Sequence, residues 1–213
     1  MRPQPTPAPA VPMAGARSAG TSVGWTLLVV LLGFLFAGLN TVLAYVTLGL
    51  PNAIPIGVGL VLCLAFAVAV RLLHRAAWLS WLSILPALFV LVGSVQLAPE
   101  AALDRRGVRQ DVVIVDAKAV GKRHSYTLSG PQGQLTEPLI YAGSNPGYQV
   151  GDRLTVVTDP EGVVELEDAA KVDPAGMVGA LLFGLSGWTV TALLAGWRGH
   201  ARRQRGRHDD LVI

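Results

Sequence analysis

Four long runs of the chain carry almost nothing but apolar side chains. They extend from about Val23 to Val46, from Ile54 to Leu73, from Ala77 to Leu97 and from about Ala175 to Trp197. Each reaches the roughly 20 residues that an α-helix needs to cross a bilayer. Within them the apolar character has no polar face, as expected of helices whose surroundings are apolar on every side. None contains Asp, Glu or Lys, and the single Arg, Arg71, lies near an end where its head can reach an interface. From residue 99 to 173 the pattern changes to short β-prone runs broken by Gly and Pro. These are DVVIVDA (111–117), HSYTLS (124–129), QLTEPLIYA (134–142), RLTVVT (153–158) and VVELE (163–167). The pattern predicts a membrane α-helical protein of four transmembrane helices. A small all-β domain, an antiparallel sheet or partly closed barrel, is inserted between helices 3 and 4. The segments are a disordered Pro-rich arm (1–22), three transmembrane helices (23–98, the third ending near 97), the β domain (99–173), the fourth helix (174–197) and a basic tail (198–213).

Composition sharpens this picture. Apolar residues make up 52% of the 213 and charged residues 15%, against about 25% charged in ordinary soluble proteins. The basic residues set the orientation. Arg2 and Arg17 precede the first run, Arg71, His74 and Arg75 lie around the second turn, and Arg198, Arg202, Arg203, Arg205 and Arg207 fill the tail. With four crossings these segments share one side, which places both termini in the cytoplasm of a multi-pass plasma-membrane protein. Residues from about 99 to 173 are then extracytoplasmic, and residues 100–173 hold twelve Asp/Glu against eight Lys/Arg. A cleaved signal peptide is the competing reading, with LLVVLLGFLF as its apolar region and Val42-Leu43-Ala44 as the cleavage site. The apolar run continues past that point, which favours a retained helix. Cleavage would leave the later topology unchanged.

Local features add expectations within each segment. Gly176, Ala180 and Gly184 recur at spacing four and form a small-residue stripe for close helix packing, against another helix of this chain or of a second copy. Gly33 and Ala37 repeat the spacing in the first helix, where Asn40 and Thr41 offer polar groups to a neighbour. Pro51 and Pro55 bound a tight turn, Trp78 and Trp81 suit an interfacial belt, and Pro86 should kink the third helix. Cys63, the only cysteine, excludes a disulfide within the chain and reads as a packing residue. The five tail arginines read as contacts to anionic lipid headgroups, each worth about 1 kcal/mol near the surface. They lack the interleaved aromatics of a nucleic-acid surface, so no nucleic acid is expected.

No motif discloses a reaction. HExxH, CxxC, GxSxG, P-loop and GxGxxG patterns are absent from the sequence. His124 and Ser125 are adjacent in a strand and therefore point to opposite faces. In VGDRLTVVTDPEG (150–162), Asp152 and Asp159 lie at opposite ends of a strand, roughly 23 Å apart along it, and cannot share a metal. They read as turns, with Pro160 at the favoured second position of Asp159–Gly162. No catalytic, cofactor-binding or metal-ligating residue is therefore assigned, and no cofactor is expected. No acidic pair lies deep in a helix to mark ion coupling. A β domain of about seventy residues has a marginal core alone, so docking against the helices or another copy is expected. The expected role is non-enzymatic, with the β domain binding or scaffolding at the cell envelope. The bilayer, a second copy of the chain or an envelope protein are the partners. The alternative is a membrane enzyme or small transporter whose site is assembled from scattered residues at the membrane boundary.

LDRRGV (103–108) running into VVIV, followed by GDRLTVVTDPEG, resembles a widespread family of bacterial, actinobacterial-type membrane proteins of unknown function. That family's pattern is Leu-x-x-Arg-Gly, a β-rich middle, and a Gly-Asp-x-hydrophobic strand ending in Asp-Pro. The resemblance covers about residues 100–165, with Thr158 where the pattern has an aromatic. It implies membrane helices with one small β domain and no catalytic residue.

Overall fold

The computed structural model describes residues 19–74, 77–143 and 145–204. Most of the Pro-rich arm, Arg75, Arg205 and Arg207 lie outside the described residues. Helices α1 (Ala19–Val46) and α2 (Ala53–His74) form the first pair, and α3 (Ala77–Leu82), α4 (Ile84–Arg106) and α5 (Pro174–Gln204) complete the helical part. Among the described residues, four stretches are long and apolar enough to cross a membrane: Val23–Val46, Ala53–Leu72, Trp78–Arg106 and Pro174–Arg198. Their outward faces are apolar, with Leu72 and Trp81 each 73% exposed. Such continuous apolar surface does not suit water.

The third stretch differs from expectation at both ends. Its irregularity falls at Ser83, between α3 and α4, and Pro86 sits in the first turn of α4. Proline has no N–H for the carbonyl of residue 82 and its ring crowds that carbonyl, so the disturbance appears one turn earlier. Beyond Leu97 the helix continues to Arg106, because APEAALDRR is rich in helix formers and ends in two arginines that suit a helix C-terminus. Gly107 alone separates α4 from the first strand. Its missing side chain matters here, since an added Cβ would run into the Leu103 carbonyl and Val157.

The strands follow α4 and precede α5 in the chain. They are β1 (Val108–Val120), β2 (Arg123–Gly130), β3 (Gly133–Gln134), β4 (Leu139–Ala142), β5 (Arg153–Thr158) and β6 (Glu167–Asp168). All pairings are antiparallel, in the order β3-β2-β1-β5-β6, with β4 also on β2. Of the two expected forms the open sheet is the one found. The β1–β2 hairpin closes at Gly121-Lys122, where Gly121 supplies a positive φ of 61°. A register shift between Ile114 and Asp116 accommodates Val115 as a bulge. One sheet face buries Val112, Ile114, Tyr126, Leu128, Leu139, Tyr141, Val156 and Leu166.

The helices have a separate core of Val29, Phe66, Val70, Leu79, Val90, Trp188 and Ala192, with Phe66 stacked on Trp188 at 4.1 Å. A third cluster joins the two parts. Leu103 of α4, Val157 of β5 and Val164 are buried together, with Leu48, Ala102, Ala169 and Val172 packed on them. The sheet thus completes its burial against the end of α4 and the α1–α2 turn, as its small size requires.

Candidate functional site at the junction of helices and sheet

The junction is built on Asp159. As read from the sequence, Asp159-Pro160-Glu161-Gly162 is a turn, with the Gly162 N–H donating to the Asp159 carbonyl at 3.0 Å. The Asp159 side chain, 0% exposed, turns inward. Its Oδ1 accepts the N–H of Glu161 at 3.2 Å, and Oδ2 accepts those of Val163 and Val164 at 3.1 and 3.0 Å. Arg106, the last residue of α4, donates to the same Oδ2 at 2.8 Å and also pairs with Glu161. Burial alone would raise the Asp159 carboxyl, but the three N–H groups and the guanidinium together hold it below the ordinary value of 3.8. Because Asp159 takes the amides of Val163 and Val164, VVELE does not run as a strand. After the turn, only Glu167 and Asp168 return to pair with β5, on the edge opposite β1.

Asp168 organises the second half of the junction. It is buried, and its Oδ2 accepts the hydroxyls of Tyr148 at 2.7 Å and Tyr141 at 3.0 Å. Its Oδ1 accepts the N–H of Ala170 at 2.9 Å. Burial again works to raise this carboxyl, but the Tyr148 hydroxyl, the Ala170 amide, the Tyr141 hydroxyl and Lys171 hold it low. Burial and the neighbouring carboxylate push the Tyr141 hydroxyl far upward, so it remains a hydrogen-bond donor. Tyr126, Tyr141 and Tyr148 meet edge to face at 5.8 to 6.1 Å, and the Lys171 ammonium lies 3.7 Å from the Tyr141 ring centre. These contacts bring β4 and β6 together through side chains where no backbone ladder joins them.

A rim of carboxylates faces the start of α5. Glu100 of α4 accepts the Asp173 N–H at 2.9 Å, and Asp173 caps α5 by accepting the Gly176 N–H at 2.9 Å. Glu167 is raised above its ordinary 4.5, first by burial and next by the Glu100 charge. Among the described residues, no group of three His, Cys, Asp or Glu is placed to hold a metal ion.

The residues singled out in the sequence divide. Of the small-residue stripe, Gly184 makes the close approach, since a Cβ there would lie 2.7 Å from the Pro86 carbonyl oxygen and the Val90 nitrogen. A Cβ on Gly176 would instead meet its own capping Asp173, and Ala180 is half-buried. The partner surface is α4 of the same chain. Its Gly93, missed in the sequence, approaches as closely: a Cβ there would lie 2.7 Å from the Leu181 nitrogen and 2.8 Å from the Met177 carbonyl oxygen. Gly93 sits in FVLVGSVQL (89–97) with no small residue four positions away, so spacing gave no signal. Arg198 is exposed, with its guanidinium carbon 5.9 Å from the Trp78 ring centre. Arg202 and Arg203 continue α5.

Comparisons with protein families, with curated proteins and with solved structures each found no match.

Proposed function

We propose that the chain is a multi-pass membrane protein that holds a small β domain outside the cytoplasm for binding or scaffolding at the cell envelope, without catalysing a reaction. The observation that carries this reading is the fixed docking of the sheet. Arg106–Asp159 and the Leu103–Val157–Val164 cluster tie it to the end of an apolar helix, a construction suited to presenting a surface. The distribution of basic residues supports a topology with the termini and the α2–α3 turn in the cytoplasm, and with Trp78, Arg198 and the tail arginines at the inner headgroups. Membership of the bacterial membrane family resembled by LDRRGV and GDRLTVVTDPEG belongs to this proposal. So do the partners: a second copy of the chain or an envelope protein. A membrane enzyme is the second reading, and the specific observation favouring it is the Glu100, Glu167 and Asp173 rim beside Lys171.

Photocrosslinking in cells tests the choice. A photoreactive residue at Thr127, on the outer sheet face, should give one or two discrete adducts. The same residue at Leu128, inside the core, should give none. Equal, diffuse labelling from both positions would contradict a binding role.

A further inference from the structure

The longest strand, β1, outruns its neighbour on one side. It pairs with β2 from Val113 to Val120, but with β5 only from Val108 to Val113. The last contacts on the β5 side are the Ile114 N–H to the Asp152 carbonyl at 3.0 Å and the Gly151 N–H to the Ile114 carbonyl at 2.8 Å. Among the described residues no strand pairs with β1 on that side beyond Ile114. The residues that flank a two-residue hairpin loop bond to each other, so Val120 turns its N–H and C=O to Arg123 of β2. Alternation sends those of Lys118 and Asp116 the same way, and those of Ala117 and Ala119 outward. Both alanines are exposed. An open edge of this kind is a template for another strand.

The side chains along this edge are self-complementary. Asp116 and Lys118 share one face, 48% and 76% exposed, and pair with each other at 3.1 Å within the chain. Exposed pairs hold weakly and exchange partners at little cost. Two copies that meet edge to edge about a two-fold axis must set outward-facing residues against each other, which leaves three registers. With Ala117 opposite Ala119, Lys118 faces Lys118 and is repelled. With Ala119 opposite itself, Ala117 falls opposite Gly121 in the turn. With Ala117 opposite itself, Asp116 of each copy faces Lys118 of the other, at the close spacing of a non-hydrogen-bonded pair, about 4.5 Å between α-carbons. Val157, opposite Arg109, turns the same sheet face to Leu103 of α4. A two-fold axis normal to the sheet can therefore run along the helices, as two copies in one bilayer require.

We propose that two copies of the chain pair antiparallel through the open edge of β1, with Ala117 on the two-fold axis. The Ala117 N–H of each copy donates to the Ala117 carbonyl of the other, and two Asp116–Lys118 ion pairs flank these bonds. The inference rests on the reading of the β domain as a binding module and names its occupant, a second copy, and the register in which it binds.

Disulfide trapping of the full chain in cell membranes, in a Cys63→Ala background, tests it. Two tagged copies are expressed together, one carrying Asp116→Cys and the other Lys118→Cys. Oxidation should join the two tags several-fold more than it joins either variant to itself, because only the unlike pair stands directly opposite. Ala117→Cys should also join to itself. Adding Asp116→Lys or Lys118→Asp to Ala117→Cys should abolish that disulfide, since like charges then meet. Adding both should restore it. No disulfide from the unlike pair, or an Ala117→Cys disulfide indifferent to the single charge reversals, would overturn the proposal. If discrete adducts to another protein still form at Thr127 in that case, the pairing fails while the binding role stands.

Discussion

Asp159 shows how much one side chain can determine. Its carboxylate holds three backbone N–H groups and an arginine in a space closed to water, so charge and hydrogen bonding cannot be removed separately. Asp159→Ala should cost about 2–4 kcal/mol, since buried donors left without an acceptor cost roughly 1–3 kcal/mol each and some will find water. Arg106→Ala should cost less, because Asp159 keeps its three amides. Thermal unfolding of the full chain in detergent, followed by the sheet signal, measures both. The pH dependence has two limbs of opposite sign. Glu167 is raised in the folded state, so its contribution is complete below 4.5 and lost as the pH rises through the raised value. Asp159 and Asp168 are lowered, so their contribution is complete above 3.8 and lost as the pH falls through their folded values. Stability should therefore rise on acidification from neutrality toward 4.5 and fall below 3.8. Glu100 is raised by burial as well and acts in the same direction, so Glu167→Gln should reduce the first limb, and an unchanged profile in that variant would contradict its assignment. The turn at Asp159 was legible in DPEG because turn chemistry is local. Its partner Arg106 lies 53 positions away, and no local pattern marks such a pair.

The interface between α4 and α5 depends on two glycines against backbone. Backbone atoms cannot move aside as a flexible side chain does, so Gly93→Ala and Gly184→Ala should each destabilise the helices by at least about 1–3 kcal/mol, the usual cost of overpacking. Gly179→Ala is the control. A Cβ there meets nothing within 4 Å, and the change should be neutral or stabilise by up to about 1 kcal/mol through helix propensity. Equal effects at all three positions, in denaturant unfolding of the full chain, would count against this packing. The apolar helices were legible from length and composition alone, and β2 and β5 from β-prone runs between turn residues. The extension of α4 through Pro99 to Arg106 was not, because proline and a change in polarity both suggest an ending. Tertiary contact with Val157 and Asp159 holds that last turn in place. VVELE failed as a strand for a similar reason, since a side chain claimed its amides.

At the scale of the whole molecule the sheet and helices are one construction joined at α4. Leu103 is 3% exposed and central to that joint. Leu103→Ala should cost about 2–4 kcal/mol and should lower the unfolding temperature of the sheet signal together with that of the helices. Loss of only one signal would show that the two parts unfold independently. Size alone predicted that the sheet needs a neighbour, but not which neighbour. The proposed arrangement, four crossings with the sheet outside, rests on charge and hydropathy and is open to direct measurement. In a Cys63→Ala background, cysteines replace Lys122 at the β1–β2 turn and Thr6 near the N-terminus, and intact cells are treated with a membrane-impermeant maleimide. The account predicts that Lys122→Cys is labelled in intact cells and Thr6→Cys only after permeabilisation. Labelling of Thr6→Cys in intact cells, with Lys122→Cys protected, would contradict it.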